Sequence, residues 1–149
     1  MFALLAVLAI AVHFDTPPTR SLTWQSDGCA GEQLAVVSGC PFQQNAPFVI
    51  RLRMAKGTSI PSHAHPIDEN ITVLRGELVL HLLGTTPATA VRLQRGDFYR
   101  VPAYVFHTAE AMEDVEIQTN GIGPLVTNWA KNSCKPTPEP ATLTIKCMP

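Results

Sequence analysis

His63 and His65 stand two residues apart in the segment Ile60-Pro61-Ser62-His63-Ala64-His65-Pro66, and Glu69 follows three residues after Pro66. In an extended chain, residues i and i+2 project from the same face, so both imidazoles can reach one point in space. A turn at Pro66-Ile67-Asp68 would return the Glu69 carboxylate to that point. Two imidazoles and one carboxylate are the ligand set of facial-triad metal sites, which leave coordination positions open for substrate, water or dioxygen. The histidine pair alone is a weak signal, because the same spacing also occurs on the solvent face of a strand.

Such side chains need a frame, and the frame has a period of two. Phe48, Ile50, Leu52 and Met54 alternate with Val49, Arg51 and Arg53, as in a strand with one face on a core and one in water. Leu78, Leu80 and Leu82 alternate with Glu77, Val79 and His81, and Arg75-Gly76-Glu77 supplies a tight turn back to Ile71 to Leu74, which reads as a hairpin. Further strands are expected at Leu34 to Ser38, Ala88 to Gln94, Phe98 to Val101, Phe106 to Glu110, Val115 to Thr119 and Leu125 to Trp129. Turn residues separate them at Gly57, Gly84, Pro87, Gly96-Asp97, Pro102, Glu113-Asp114 and Gly121 to Pro124. Many short strands at this spacing make an all-β sandwich or barrel. No segment has the pattern of an amphipathic helix.

The glycines around the histidines sharpen the signal. Gly57, His63, His65, Glu69 and Gly76 have the spacing of the first motif of the cupin family, and the segment from Gly96 through Pro102 to His107 resembles the second. The resemblance covers roughly residues 34 to 127. It is nearest to small exported single-domain cupins that set the histidines between Ile-Pro and Pro and carry a sequence like Gly121-Ile122-Gly123-Pro124. It implies a double-stranded β-helix, or jelly-roll, barrel with His107 as a fourth ligand beside His63, His65 and Glu69. Tyr104 stands where the family has a second glycine and Ala111 where it has asparagine, which puts the fine shape of the pocket in question. Three imidazoles and one carboxylate suit one divalent transition ion, Mn, Fe, Ni, Cu or Zn, better than Mg or Ca. The resemblance implies a metal-dependent, dioxygenase-like oxidoreductase acting on a small organic molecule, or alternatively a non-catalytic metal- or ligand-binding and sensing module of the cell envelope. A homodimer is implied only by the same likeness.

Composition agrees with one domain. The chain has 149 residues, 46% of them hydrophobic and 15% charged, against about 25% charged in an average globular protein, which excludes disorder over most of its length. A net charge of −1 gives no footprint for nucleic acid or an anionic membrane. The apolar run Met1 to Val12 is too short to span a bilayer but has the length of a signal-peptide core, with a small-x-small site at Ala9 and Ala11. Residues 1–14 therefore read as a leader, 15–23 as a linker, 24–132 as the barrel and 133–149 as a Pro-rich tail. The protein is expected to be secreted or periplasmic, and a misplaced start codon or a buried strand is the other reading of the run. Four cysteines fit export. Cys29–Cys40 and Cys134–Cys147 would be the simplest of three pairings, with four inert thiols as the alternative.

The other candidates have plain structural readings. By strand parity His81 faces solvent, while His13 belongs to the leader. Tyr99, Tyr104 and Phe106 could line a pocket mouth, but core packing is the commoner role of aromatic residues in a small barrel. Arg51 and Arg53 read as a solvated face rather than an anion site, and Asp68 as a turn former rather than a proton acceptor. No Ser-His-Asp arrangement or phosphate loop competes with the metal set.

Overall fold

A computed structural model of the chain describes residues 21–26, 31–84, 89–131 and Cys147. The leader, most of the linker and all of the tail except Cys147 lie outside these residues. Among the described residues the strands are β1 (Gln25–Ser26), β2 (Glu32–Gly39), β3 (Pro47–Met54), β4 (Ser59–Ala64), β5 (Glu69–Arg75), β6 (Glu77–Leu82), β7 (Thr89–Gln94), β8 (Phe98–Val101), β9 (His107–Ala111), β10 (Val115–Ile122) and β11 (Asn128–Trp129). They form a six-stranded sheet in the order β1-β2-β3-β10-β5-β8 and a five-stranded sheet in the order β11-β4-β9-β6-β7. Every pairing is antiparallel, as in a double-sheet jelly roll. No helix among the described residues is long and apolar enough to cross a membrane.

Alternation decides which side chains fill the barrel. Phe48, Ile50, Leu52 and Met54 of β3, Ile71 and Val73 of β5, Leu78, Leu80 and Leu82 of β6, Ala109 and Ala111 of β9, and Val115 and Ile117 of β10 form one buried cluster. Most of the opposite parity stays wet or pairs at the surface, Val79 being buried, and His81 is exposed as its parity predicts. Arg51 and Arg53 are not free in solvent: both pair with Glu116 on the neighbouring β10, at 3.0 and 2.9 Å, and Arg53 also lies over the Trp24 ring.

Three expectations need correction. The turn at Arg75-Gly76-Glu77 is not a hairpin, since β5 pairs with β10 and β8 while β6 pairs with β9 and β7 in the other sheet. Gly76 is a corner: its φ is +76°, and a Cβ there would collide with the Asp114 carbonyl, so the chain turns tightly and leaves its sheet. The expected strand at Leu125 to Trp129 shrinks to Asn128–Trp129, because Leu125 turns inward and donates its N–H to the Pro41 carbonyl instead of a ladder. Local disulfides are also overturned. Cys40 bonds to Cys147, 107 residues away, with 4.6 Å between Cα atoms, because the barrel returns the far end of the chain to the β2–β3 loop.

Candidate metal centre

The inward ladders end in polar groups at one mouth of the barrel. Along β5 the buried positions run Val73, Ile71, Glu69; along β9 they run Ala111, Ala109, His107; along β10 they run Val115, Ile117, Thr119. Glu69 and His107 thus reach the interior by ordinary alternation. His63 does not. In β4, Ile60 pairs with Ala109 and His63 with His107, so β4 advances three residues while β9 advances two. This bulge at Pro61-Ser62 resets the parity, leaving Ile60 and His63 both facing in, and a bulge is where a strand tolerates proline. His65 follows just past the strand's end, its backbone carbonyl accepting the Tyr104 N–H at 2.7 Å.

His63, His65, Glu69 and His107 are all buried, and one ligand atom from each lies within 4.8 Å of the others. Each imidazole is oriented by a backbone carbonyl on Nδ1: Pro61 for His63 at 2.7 Å, Val126 for His65 at 3.0 Å and Val105 for His107 at 3.1 Å. An Nδ1–H donated to a carbonyl leaves Nε2 with a lone pair, which is how proteins set histidine tautomers around metals. Nε2 of His107 and of His65 lie 3.2 and 3.7 Å from Oε2 of Glu69. That oxygen is buried without a hydrogen-bond partner. Electron-rich atoms facing one another in a buried space call for a cation between them, so the residues fit a metal ion.

Electrostatics point the same way. Burial, followed by the field of His107, lowers the His63 pKa to about 4, so this ring is neutral near pH 7. Burial opposes ionisation of Glu69, yet the contact with His107 and the fields of the imidazoles outweigh it and hold the carboxyl at about 2. His107 moves up: burial lowers it, but the adjacent Glu69 carboxylate more than compensates.

All four residues singled out in the sequence come together, and the lesser candidates separate. Asp68 is tied down outside the centre, accepting the Ala103 N–H at 2.9 Å and pairing with Arg100 at 3.3 Å. Tyr99 packs on the core as expected. Tyr104 and Phe106 do not, being 70% and 38% exposed, because the inward positions here are Val105, His107 and alternate residues after them. Tyr104 has φ +65°, the left-handed conformation that the family's glycine would adopt freely. Sequence reasoning missed Thr119, fully buried with its hydroxyl 3.5 Å from Oε1 of Glu69, and Trp129, whose ring stacks 5.3 Å from that of His63. A polar residue continuing the inward parity of Val115 and Ile117 was the available signal for Thr119.

The family described as Cupin domain (Cupin_2) matches residues 50–119, which run from β3 to β10 and contain all four residues of the centre. A search of curated proteins found no match. Among solved structures, KdgF from Halomonas sp. superposes with a TM-score of 0.57 at 22% identity, over 71% of this chain and 93% of that one. An RmlC-like cupin from Shewanella frigidimarina gives 0.59 at 18% identity, over 80% of this chain and 95% of the other. An oxalate decarboxylase from Bacillus subtilis gives 0.63 at 15%, over 82% of this chain but only 34% of the larger protein. At these identities the likeness is one of fold. Joined to the matched motif residues and the two-sheet barrel that carries them, it identifies residues 50–119 as a cupin domain with the cupin fold.

Proposed function

We propose that His63, His65, Glu69 and His107 ligate one divalent transition ion, Mn, Fe, Ni, Cu or Zn, and that the chain is a metal-dependent, dioxygenase-like oxidoreductase acting on a small organic molecule. The observation that carries the reading is the buried, unpartnered Oε2 of Glu69 facing imidazole nitrogens whose opposite edges are already committed to backbone carbonyls. When bound, such an ion supplies Lewis-acid polarisation of a substrate oxygen and, for Fe, Mn or Cu, electron transfer. The chain's residues hold the rings in one tautomer, offset one unit of the ion's charge through Glu69 and exclude water with apolar walls, where electrostatic effects strengthen. Export is part of the proposal, and the Cys40–Cys147 bond supports it, since such bonds persist in oxidising compartments.

Elemental analysis of the protein purified without added metal comes first, with close to one transition ion per chain expected. Oxygen uptake by the iron- or manganese-loaded protein should then respond to members of a panel of phenols and thiols. A second reading, a non-catalytic binding or sensing module of the cell envelope, is favoured by the near-complete burial of the centre, where His63, His65, Glu69 and His107 retain 5%, 7%, 7% and 2% exposure. Bound metal with no uptake on any substrate would favour that module, while failure to bind any of the five ions would overturn both readings.

A further inference from the structure

We infer that the Cys40–Cys147 disulfide tunes the metal affinity of the centre through the position of His65, an inference that rests on the metal reading above. The three imidazoles are not held alike. His63 and His107 each bond a carbonyl two residues earlier in their own chain segment, whereas His65 depends on Val126, 61 residues away. Its orientation is therefore set by how a separate segment docks.

That segment sits between β10 and β11 and is fastened to the β2–β3 loop. The Leu125 N–H donates to the Pro41 carbonyl at 2.6 Å, Gly123 donates to Ala46 at 2.8 Å and Asn45 donates to Gly123 at 3.0 Å. Gly123 lies so close to the carbonyls of Gln43 and Pro41 that a Cβ would not fit. The loop begins at Cys40, next to Pro41, and Cys40 is bonded to Cys147, whose residue is exposed. A short path of bonds thus runs from the disulfide through the Pro41 carbonyl, Leu125 and the Val126 carbonyl to Nδ1 of His65.

Exposure of Cys147 makes the disulfide accessible to a small dithiol. One thiolate of the dithiol attacks a cysteine sulfur and breaks the S–S bond, and its second thiol resolves the mixed disulfide. The dithiol leaves as a cyclic disulfide, and its two electrons and two protons end on the two cysteine thiols. Cys40 then keeps only its local bonds to Pro47 at 3.3 Å and Gln43 at 3.2 Å. Val126 is held less firmly and His65 loses part of its preorganisation. Outright loss of a group that orients a ligand costs about 10–100-fold in metal affinity, so loosening one should cost about three- to tenfold. Linkage requires the reverse effect of equal size: bound metal makes the disulfide harder to reduce, by about 30 mV for a tenfold coupling.

The test uses the full chain and Mn(II), a hard ion that does not compete for the released thiols. Its affinity is measured on oxidised protein, on protein reduced and freed of dithiol, and on the C40S/C147S variant. The expected result is a three- to tenfold weaker affinity in the last two, no further change on treating the variant with dithiol, and a change in ring ¹⁵N shifts at His65 but not at His63 or His107. If the variant does not fold, redox titration of the wild-type Cys40–Cys147 pair, with and without Mn(II), gives the same coupling from the other side. Equal affinity with equal potential, or an equal dithiol effect in the variant, overturns the inference and leaves the metal reading standing. No Mn(II) binding in any form, with the other four ions also failing, overturns both.

Discussion

The two ends of the barrel interior are built from the same strands and differ in a few side chains. At one end Met54, Val73, Leu78, Ala111 and Val115 make an apolar plug. At the other the same ladders arrive at Glu69, His107 and Thr119, with His63 brought in by a bulge. The apolar end is satisfied by its own contacts, whereas the polar end buries a carboxylate oxygen faced by the imidazole nitrogens of His107 and His65 at 3.2 and 3.7 Å. One end carries the stability of the fold and the other draws on it, so substitutions should separate the two.

The largest separation is expected from His107→Ala. Losing a ligand should weaken metal binding by more than the ~10–100-fold that loss of an orienting partner costs. At a metal concentration of 100 times Kd, the ion's contribution of about 2.7 kcal/mol disappears, which lowers Tm by roughly 5–10 °C for a chain of this size. Calorimetry with and without chelator measures both, and a variant that still melts higher with metal would contradict the assignment. Leu78→Ala at the apolar end should cost about 2–5 kcal/mol and leave one metal ion per chain; loss of the metal would show that the ends are not independent.

Acid should act on the polar end first. His63 titrates at about 4 when folded against about 6.5 when unfolded, and Glu69 at about 2 against about 4.5. In both cases the unfolded chain binds the proton more readily, so metal-free protein should lose stability as pH falls from about 6.5 to about 2. His107 has the opposite sign: its raised pKa contributes stability that is present below the ordinary histidine range and is lost as pH climbs through the raised value. Metal must displace that proton, so affinity should still be rising with pH above about 6.5. Affinity that levels off below that pH would contradict the His107–Glu69 pairing. The smallest effect is Tyr104→Gly, which should relieve left-handed backbone at an exposed position and raise stability by about 1 kcal/mol with metal affinity unchanged, as denaturant melts would show.

Most of this division was readable in advance. Strand parity reports which face is buried, and it placed the alternating residues of β3 and β6 inward, with His81 outside. The four candidate ligands came from side-chain type at His63, His65 and Glu69 and from the cupin resemblance at His107, which need no tertiary information. Parity says nothing about which sheet a strand joins, so Gly76 looked like the tip of a hairpin when it is the corner between sheets. The acceptors of the three histidines were invisible for another reason: Pro61, Val105 and Val126 act through carbonyls that every residue possesses. Cys40 and Cys147 could not be paired from sequence, because their neighbourhood exists only after both sheets close.

The extra residue between Ile60 and His63 also bears on which changes of length the centre tolerates. Loss of a single codon from the Pro61-Ser62 pair would put β4 in frame with β9 and leave Ile60 and the histidine two residues apart, so the imidazole would still face inward, opposite His107, without a bulge. The bulge can therefore be gained or lost through one small insertion or deletion while the inner face keeps its histidine, a change that comparisons scoring only substitutions would overlook.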